Sequence, residues 1–135
     1  MEDINKSESG YKINNIILTE SAFFRINNVA FGEGVQTSLK IDTNVEVNEK
    51  VITVIEEATV IQTFNGNEQV NIKVKMVGIF ECVGDTLLTD YEDFGRINGA
   101  AILFPYIREH VTNISLKGGL GAIMLPPVNF TKVLK

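Results

Sequence analysis

One cysteine, one histidine, no tryptophan and three prolines in 135 residues remove several classes of function at the outset. The lone Cys82 cannot close an internal disulfide. It stands in an apolar, strand-like run, where a thiol is a small buried hydrophobe rather than a nucleophile. A zinc centre draws most of its ligands from His and Cys, and one of each does not suffice. His110 and Cys82 could work as base and nucleophile only if the fold joined them, and nothing in their spacing asks for that; a surface or interface position for His110 is the plainer reading. No apolar run approaches the ~20 residues of a transmembrane helix. Lys and Arg number 12 against 17 Asp and Glu, a net charge of −5, so a phosphate backbone finds little to bind and nucleic acid is excluded as the main partner. The opening MEDINKSESG lacks the basic start and apolar block of a secretion signal. The expected location is therefore the cytoplasm, and the glycosylation triplets at Asn113 and Asn129 are read as chance.

What is present is apolar: 44% of the chain is hydrophobic, enough for a core and too much for a disordered protein. Residues 1–10 read as a flexible tail and 11–135 as a single domain. From Tyr11 to Ile26 the chain is rich in Ile and Phe, with a change of phase near Thr19–Ser21 that predicts a bulge in a long strand. After the turn signal at 32–34, Val35, Thr37, Leu39, Ile41, Thr43, Val45 and Val47 alternate with polar residues, a strand with one wet face. Asn48–Lys50 makes a tight connection to a third strand, Val51–Phe64, whose pattern Glu56-Glu57 interrupts. Asn65-Gly66-Asn67 is a hairpin signal, and Val70, Ile72, Val74, Met76 and Phe80 mark a fourth strand. Four strands with short turns predict an antiparallel meander.

The period then becomes helical. Ala100, Leu103, Phe104, Ile107, Val111 and Ile114 recur along one stripe, with Asn98 as the expected N-cap and Gly118-Gly119 as the stop. Pro105 is expected to kink this helix or to mark its true start, and Tyr91–Arg96 suggests a short helix before it. The fold class is α+β: a four-stranded antiparallel sheet with one long kinked C-terminal helix, plus short helical pieces, on one face. Two acidic clusters, Glu56-Glu57 and Asp90–Asp93, read as a solvated face or a helix start rather than as acid–base machinery. Gly118–Gly121 lacks the strand–loop–helix context and the lysine of a phosphate loop. With no catalytic constellation, the odds move towards binding.

KGGLGAIMLPPVNF, residues 117–130, is apolar yet too interrupted by Gly and Pro for a core element. It reads either as a loop packed over the domain or as a mobile wall of an apolar groove, since Met and Leu on a flexible support adapt to many partners.

Three stretches, GIF at 78–80, ILFPYIRE at 102–109 and KGGLGAIMLPPVNF, resemble the SecB family of protein-export chaperones. In that family an LFPYARE-like run opens a helix and an L-x-L-A-P-x-N-F loop follows it; YKINNIILTESAFFRIN resembles the family's first strand. The resemblance covers Tyr11 to Phe130. It implies an ATP-independent holdase that binds unfolded or precursor polypeptides in an apolar groove, assembles as a dimer of dimers, needs no cofactor and delivers clients to the SecA motor. Carried over residue by residue, the groove comprises Phe31, Phe104, Leu120, Ile123, Met124, Leu125 and Phe130. For each of these the packed core is the competing position, and for Phe104 the favoured one.

The departures matter as well. Pro126 stands where the family often has Ala, and the family's second helix and acidic tail are expected to be short or missing after NFTKVLK. Of the acidic SecA-facing positions on the sheet, Glu20 fits the first, Phe24 replaces the second, and Asn71 and Lys73 replace an apolar–acidic pair. The expectation is weak or absent SecA binding, which leaves room for a dedicated chaperone with one client, such as the antitoxin of a toxin–antitoxin pair. A small-ligand binding protein that kept the fold is the reading from another class.

Overall fold

A computed structural model describes residues 10–83 and 90–133; all but the last residue of the tail expected at 1–10, the segment 84–89 and the last two residues of the domain expected at 11–135 lie outside them. Four long strands, β1 (Tyr11–Arg25), β2 (Val35–Asn48), β3 (Val51–Phe64) and β4 (Asn67–Cys82), form one antiparallel sheet in the order β1-β4-β3-β2. Asn65 and Gly66 both take positive φ, 53° and 80°, the backbone of a two-residue turn that matches strand twist.

The sheet is not a simple meander. Strands β2 to β4 are joined by two-residue turns and lie side by side, as expected, but β1 crosses to the far edge and pairs with β4. The connection 26–34 explains the difference. A two-residue turn joins only neighbours, whereas this segment easily spans the three strand spacings, about 14 Å, that separate β1 from β2. The outcome is a Greek-key order. Gln69 secures the crossing: its side chain accepts from Ala30 N (2.9 Å) and donates to Ala30 O (3.0 Å), while its carbonyl accepts from Ile26 N (3.0 Å). Strand β1 carries two register shifts, between Ile13 and Asn15 and between Leu18 and Glu20. The second is the anticipated bulge; the first had no signal in the apolar pattern.

A helical layer covers one face. It begins at α1 (Tyr91–Phe94), continues through a π-helical turn at Gly95–Gly99 and runs on as α2 (Ala100–Lys117); a last turn, α3, spans Phe130–Val133. The N-cap is Asp90, whose carboxylate accepts from Asp93 N at 3.0 Å, and not Asn98, which lies inside the π turn. Asp90 precedes acidic residues and so satisfies an orphan donor where the dipole favours negative charge. Pro105 lies within α2 and does not start it. The irregular turn instead precedes the proline, at Gly95–Gly99. There a Cβ on Gly99 would lie 2.7 Å from Val54 Cγ2, and one on Gly95 2.7 Å from Val45 Cγ1, so the glycines let the helix approach the sheet closely.

The core lies between the layers. Ile52, Val54, Ala58 and Val60 of β3 and Val70, Ile72, Val74 and Phe80 of β4 meet Leu103, Phe104, Ile107 and Val111 of α2. Tyr11, Phe80 and Phe94 add edge-on ring contacts at the near end. Glu56 corrects its solvated reading: it points under the helices with 0% exposure, while Glu57 takes the open face beside Lys75 at 3.6 Å.

Candidate functional site

The long helix ends in a Schellman arrangement. Gly119 N donates to Leu116 O (3.1 Å) and Leu120 N to Ser115 O (3.0 Å), with Gly119 at φ +72°, a conformation an L side chain resists. Strand β1 is tied to this end. Arg25 Nη1 donates to the Gly118 carbonyl, a cation where the helix dipole is negative, and the Phe23 ring lies over Gly118. His110, half-buried on α2, meets Ser21 Oγ of β1 at 2.8 Å, a helix–strand contact.

The segment after the stop is held against α2 rather than free. Ile123 N donates to Ser115 Oγ (2.9 Å) and Ile123 O accepts from Thr112 Oγ1 (2.9 Å). The next two residues then point oppositely. Met124 is 74% exposed and Leu125 is 5% exposed. Beyond Pro126-Pro127, the Phe130 ring meets Phe104 at 5.8 Å between centroids, and the Arg108 guanidinium covers the Phe104 ring at 5.2 Å.

The seven residues assigned to a groove therefore separate by depth. Phe104, Leu125 and Phe130 belong to the core, Leu120 and Ile123 pack half-buried against it, and Met124 and Phe31 reach solvent, Phe31 with 65% exposure. A shallow groove of about 460 Å³ runs between Ile97 and Ala101 on one side and Pro127–Thr131 on the other. Another, about 370 Å³, follows the outer side of α2 from Pro105 to Leu116.

Further apolar surface was not singled out from sequence. Ile13, Leu18, Phe23 and Phe24 on β1, Ile26 just after it, and Tyr106 and Leu116 on α2 are exposed. The available signal was the unusual density of Ile and Phe in β1, which exceeds what an edge strand can bury in one chain.

The open face of the sheet is polar and ordered in rows. Asp42, Glu57, Lys75 and Glu20 stand in register across all four strands, and Lys75 lies 3.6 Å from both Glu57 and Glu20. One row on, Lys40, Thr59, Lys73 and Ala22 are in register, and then Ser38, Ile61, Asn71 and Phe24. Glu20, Phe24, Asn71 and Lys73 thus share this face.

Comparison with known proteins fits this architecture. The family model described as preprotein translocase subunit SecB matches residues 10–135. The protein-export protein SecB of Marinomonas sp. is 38% identical over 88 residues, 63% of this chain and 53% of its own length. That of Cellvibrio japonicus is 33% identical over 106 residues, 77% of this chain and 61% of its own. An uncharacterized protein of Methanocaldococcus jannaschii is 29% identical over 101 residues, 72% of this chain and 64% of its own. The matches thus span 53 to 64% of these relatives' lengths. Among solved structures, the Mycobacterium tuberculosis SecB-like chaperone in complex with a ChAD peptide from an antitoxin has a TM-score of 0.77 at 16% identity, over 88% of this chain and 91% of that one, a likeness of fold. With its family model matched from residue 10 to residue 135, the chain belongs to the SecB family.

Proposed function

We propose that this protein is an ATP-independent holdase that binds unfolded or precursor polypeptides for export. The observation that carries the reading is the set of large apolar side chains left in solvent, Phe24, Phe31, Leu116 and Met124 among them, on a member of the SecB family. Soluble proteins keep such surface for partners, and holding an unfolded chain needs apolar area rather than a chemical step. Met124 and Phe31 are the direct client contacts, Leu120 and Ile123 form the half-buried wall, and Phe104, Leu125 and Phe130 make the floor beneath. The single domain 11–135 acts in the cytoplasm; among the described residues no helix is long and apolar enough to cross a membrane. It assembles as a dimer of dimers, which would cover the apolar β1 edge that one chain leaves open.

The test is light scattering from a chemically unfolded protein diluted into buffer, with and without this protein and without nucleotide. Suppression of aggregation at near-stoichiometric ratio is expected. No suppression by a folded, oligomeric sample overturns the general holdase.

A dedicated chaperone with one client, such as an antitoxin, is the second reading. Lys73, Asn71 and Phe24 on the open face favour it, because they depart from the acidic SecA-facing pattern. The M. tuberculosis protein of the same fold is a SecB-like chaperone in complex with an antitoxin peptide. A broad client range in pull-downs counts against this reading.

A further inference from the structure

The apolar stripe of α2 steps through Leu103, Ile107 and Val111 and then reaches Ser115, which is fully buried. A hydroxyl at that depth is costly unless its hydrogen bonds are made. Ser115 Oγ makes two: it donates to Thr112 O (2.8 Å) and accepts from Ile123 N (2.9 Å). One turn earlier Thr112 Oγ1 donates to Ile123 O at 2.9 Å. Both main-chain polar groups of Ile123 are therefore held by α2 side chains. The orientation of the neighbours follows, Leu125 inward and Met124 outward. The Schellman turn fixes one end of the segment and the Phe104–Phe130 contact the other.

We propose that Ser115 and Thr112 are positioning residues for client binding: they clamp Ile123 so that Met124 is presented to an unfolded apolar chain from a main chain already in its bound form. The proposal rests on the holdase reading. Between the packed loop and the mobile wall that the Gly- and Pro-rich sequence leaves open, it sets a fixed backbone carrying one adaptable side chain. A thioether with three rotatable bonds can follow many apolar surfaces, and a preordered main chain spares the ordering entropy that a loose loop would lose with each client.

The experiment measures two quantities on the full chain. One is the Kd for reduced, alkylated lactalbumin, a permanently unfolded probe. The other is the amide hydrogen exchange of Ile123. In Ser115→Ala, Ile123 exchange should accelerate and probe affinity should fall about two- to tenfold, the span of one net hydrogen bond. Thr112→Val should weaken the probe similarly, and Thr112→Ser, which keeps the hydroxyl, should restore both readouts. Met124→Asp should abolish probe binding with an unchanged melting temperature. A merely structural role for the hydroxyls would lower melting and leave affinity intact in folded protein. Wild-type protein that ignores the probe overturns the holdase reading and this proposal with it. Wild-type binding that survives Met124→Asp, or that both clamp variants leave intact, overturns the clamp alone. Ile123 exchange unaffected by Ser115→Ala does the same.

Discussion

Glu56 is the residue most at odds with its surroundings. It faces the helical layer from β3 between Val54 and Ala58, opposite Thr43 and Met76. Among the described residues neither carboxylate oxygen has a hydrogen-bond partner, and nor does Thr43 Oγ1. Arg96 approaches this region, but its Nη1 is engaged by Thr43 O at 3.1 Å and its other nitrogens by Glu92. Burial pushes the Glu56 carboxyl up to about 8 from an ordinary 4.5. The folded state thus keeps a proton that the unfolded chain has released, and stability is lost as pH rises from about 4.5 to about 8 and is level above that. At about 1.4 kcal/mol per unit, the loss amounts to a few kcal/mol. Glu56→Leu should therefore melt higher than wild type at pH 9, with the advantage shrinking towards pH 5. Parallel melting profiles across that range would show that Glu56 does not titrate in this way. Read as a pair, Glu56-Glu57 looks like one charged patch; the alternation of a strand, which turns adjacent side chains to opposite faces, was the signal that one of the two lies under the helices.

At the scale of elements, strands and turns were readable because their signals are local. Asn65-Gly66 demands a turn, and alternation in β2 through β4 demands a sheet. The order of strands was less readable, because it depends on where the segment 26–34 goes, and that is decided by Gln69 reaching Ala30 across the sheet end. The helical layer was legible in its stripe, its glycine stop and the short helix expected at Tyr91–Arg96, which is α1 (Tyr91–Phe94), but not in its cap or in the π turn that joins that piece to α2. The apolar period starts near Ala100, whereas the helix is capped two turns earlier by Asp90. The glycines in the intervening π turn look like breakers in sequence; in the fold they lie so close to Val45 of β2 and Val54 of β3 that a Cβ would not fit. Gly99→Ala should accordingly lower stability by about 1–3 kcal/mol, an overpacking cost, although alanine is the better helix former. Denaturant unfolding decides the sign: a stabilised variant would mean that α2 stands off Val54 farther than 2.7 Å allows.

For the whole molecule, one question is which face meets which partner. The candidate groove was partly legible: five of its seven residues lie in one segment, 120–130, with Phe31 and Phe104 apart from it, but depth cannot be read from a segment, so core residues and exposed ones stand together in it. Phe104 and Phe130 disappear into each other, whereas Met124 remains outside because its two neighbours are turned in. The open sheet face is a separate surface with separate chemistry. Its central row is acidic but neutralised in part by Lys75, and the adjoining row carries Lys40 and Lys73 in register across Thr59. A partner that reads acidic residues on this face meets like charge at that second row, and charge of the wrong sign at an interface acts against association. SecA binding weaker than micromolar is therefore expected for the wild-type chain. Restoring an apolar–acidic pair with Asn71→Leu and Lys73→Glu should tighten it, more at low salt than at high, since screening weakens exposed charges. Micromolar or stronger binding by the unaltered chain would sink the idea. Binding that stays weak after the exchange would place the determinant elsewhere, with Phe24, exposed on the same face, as the next position to alter.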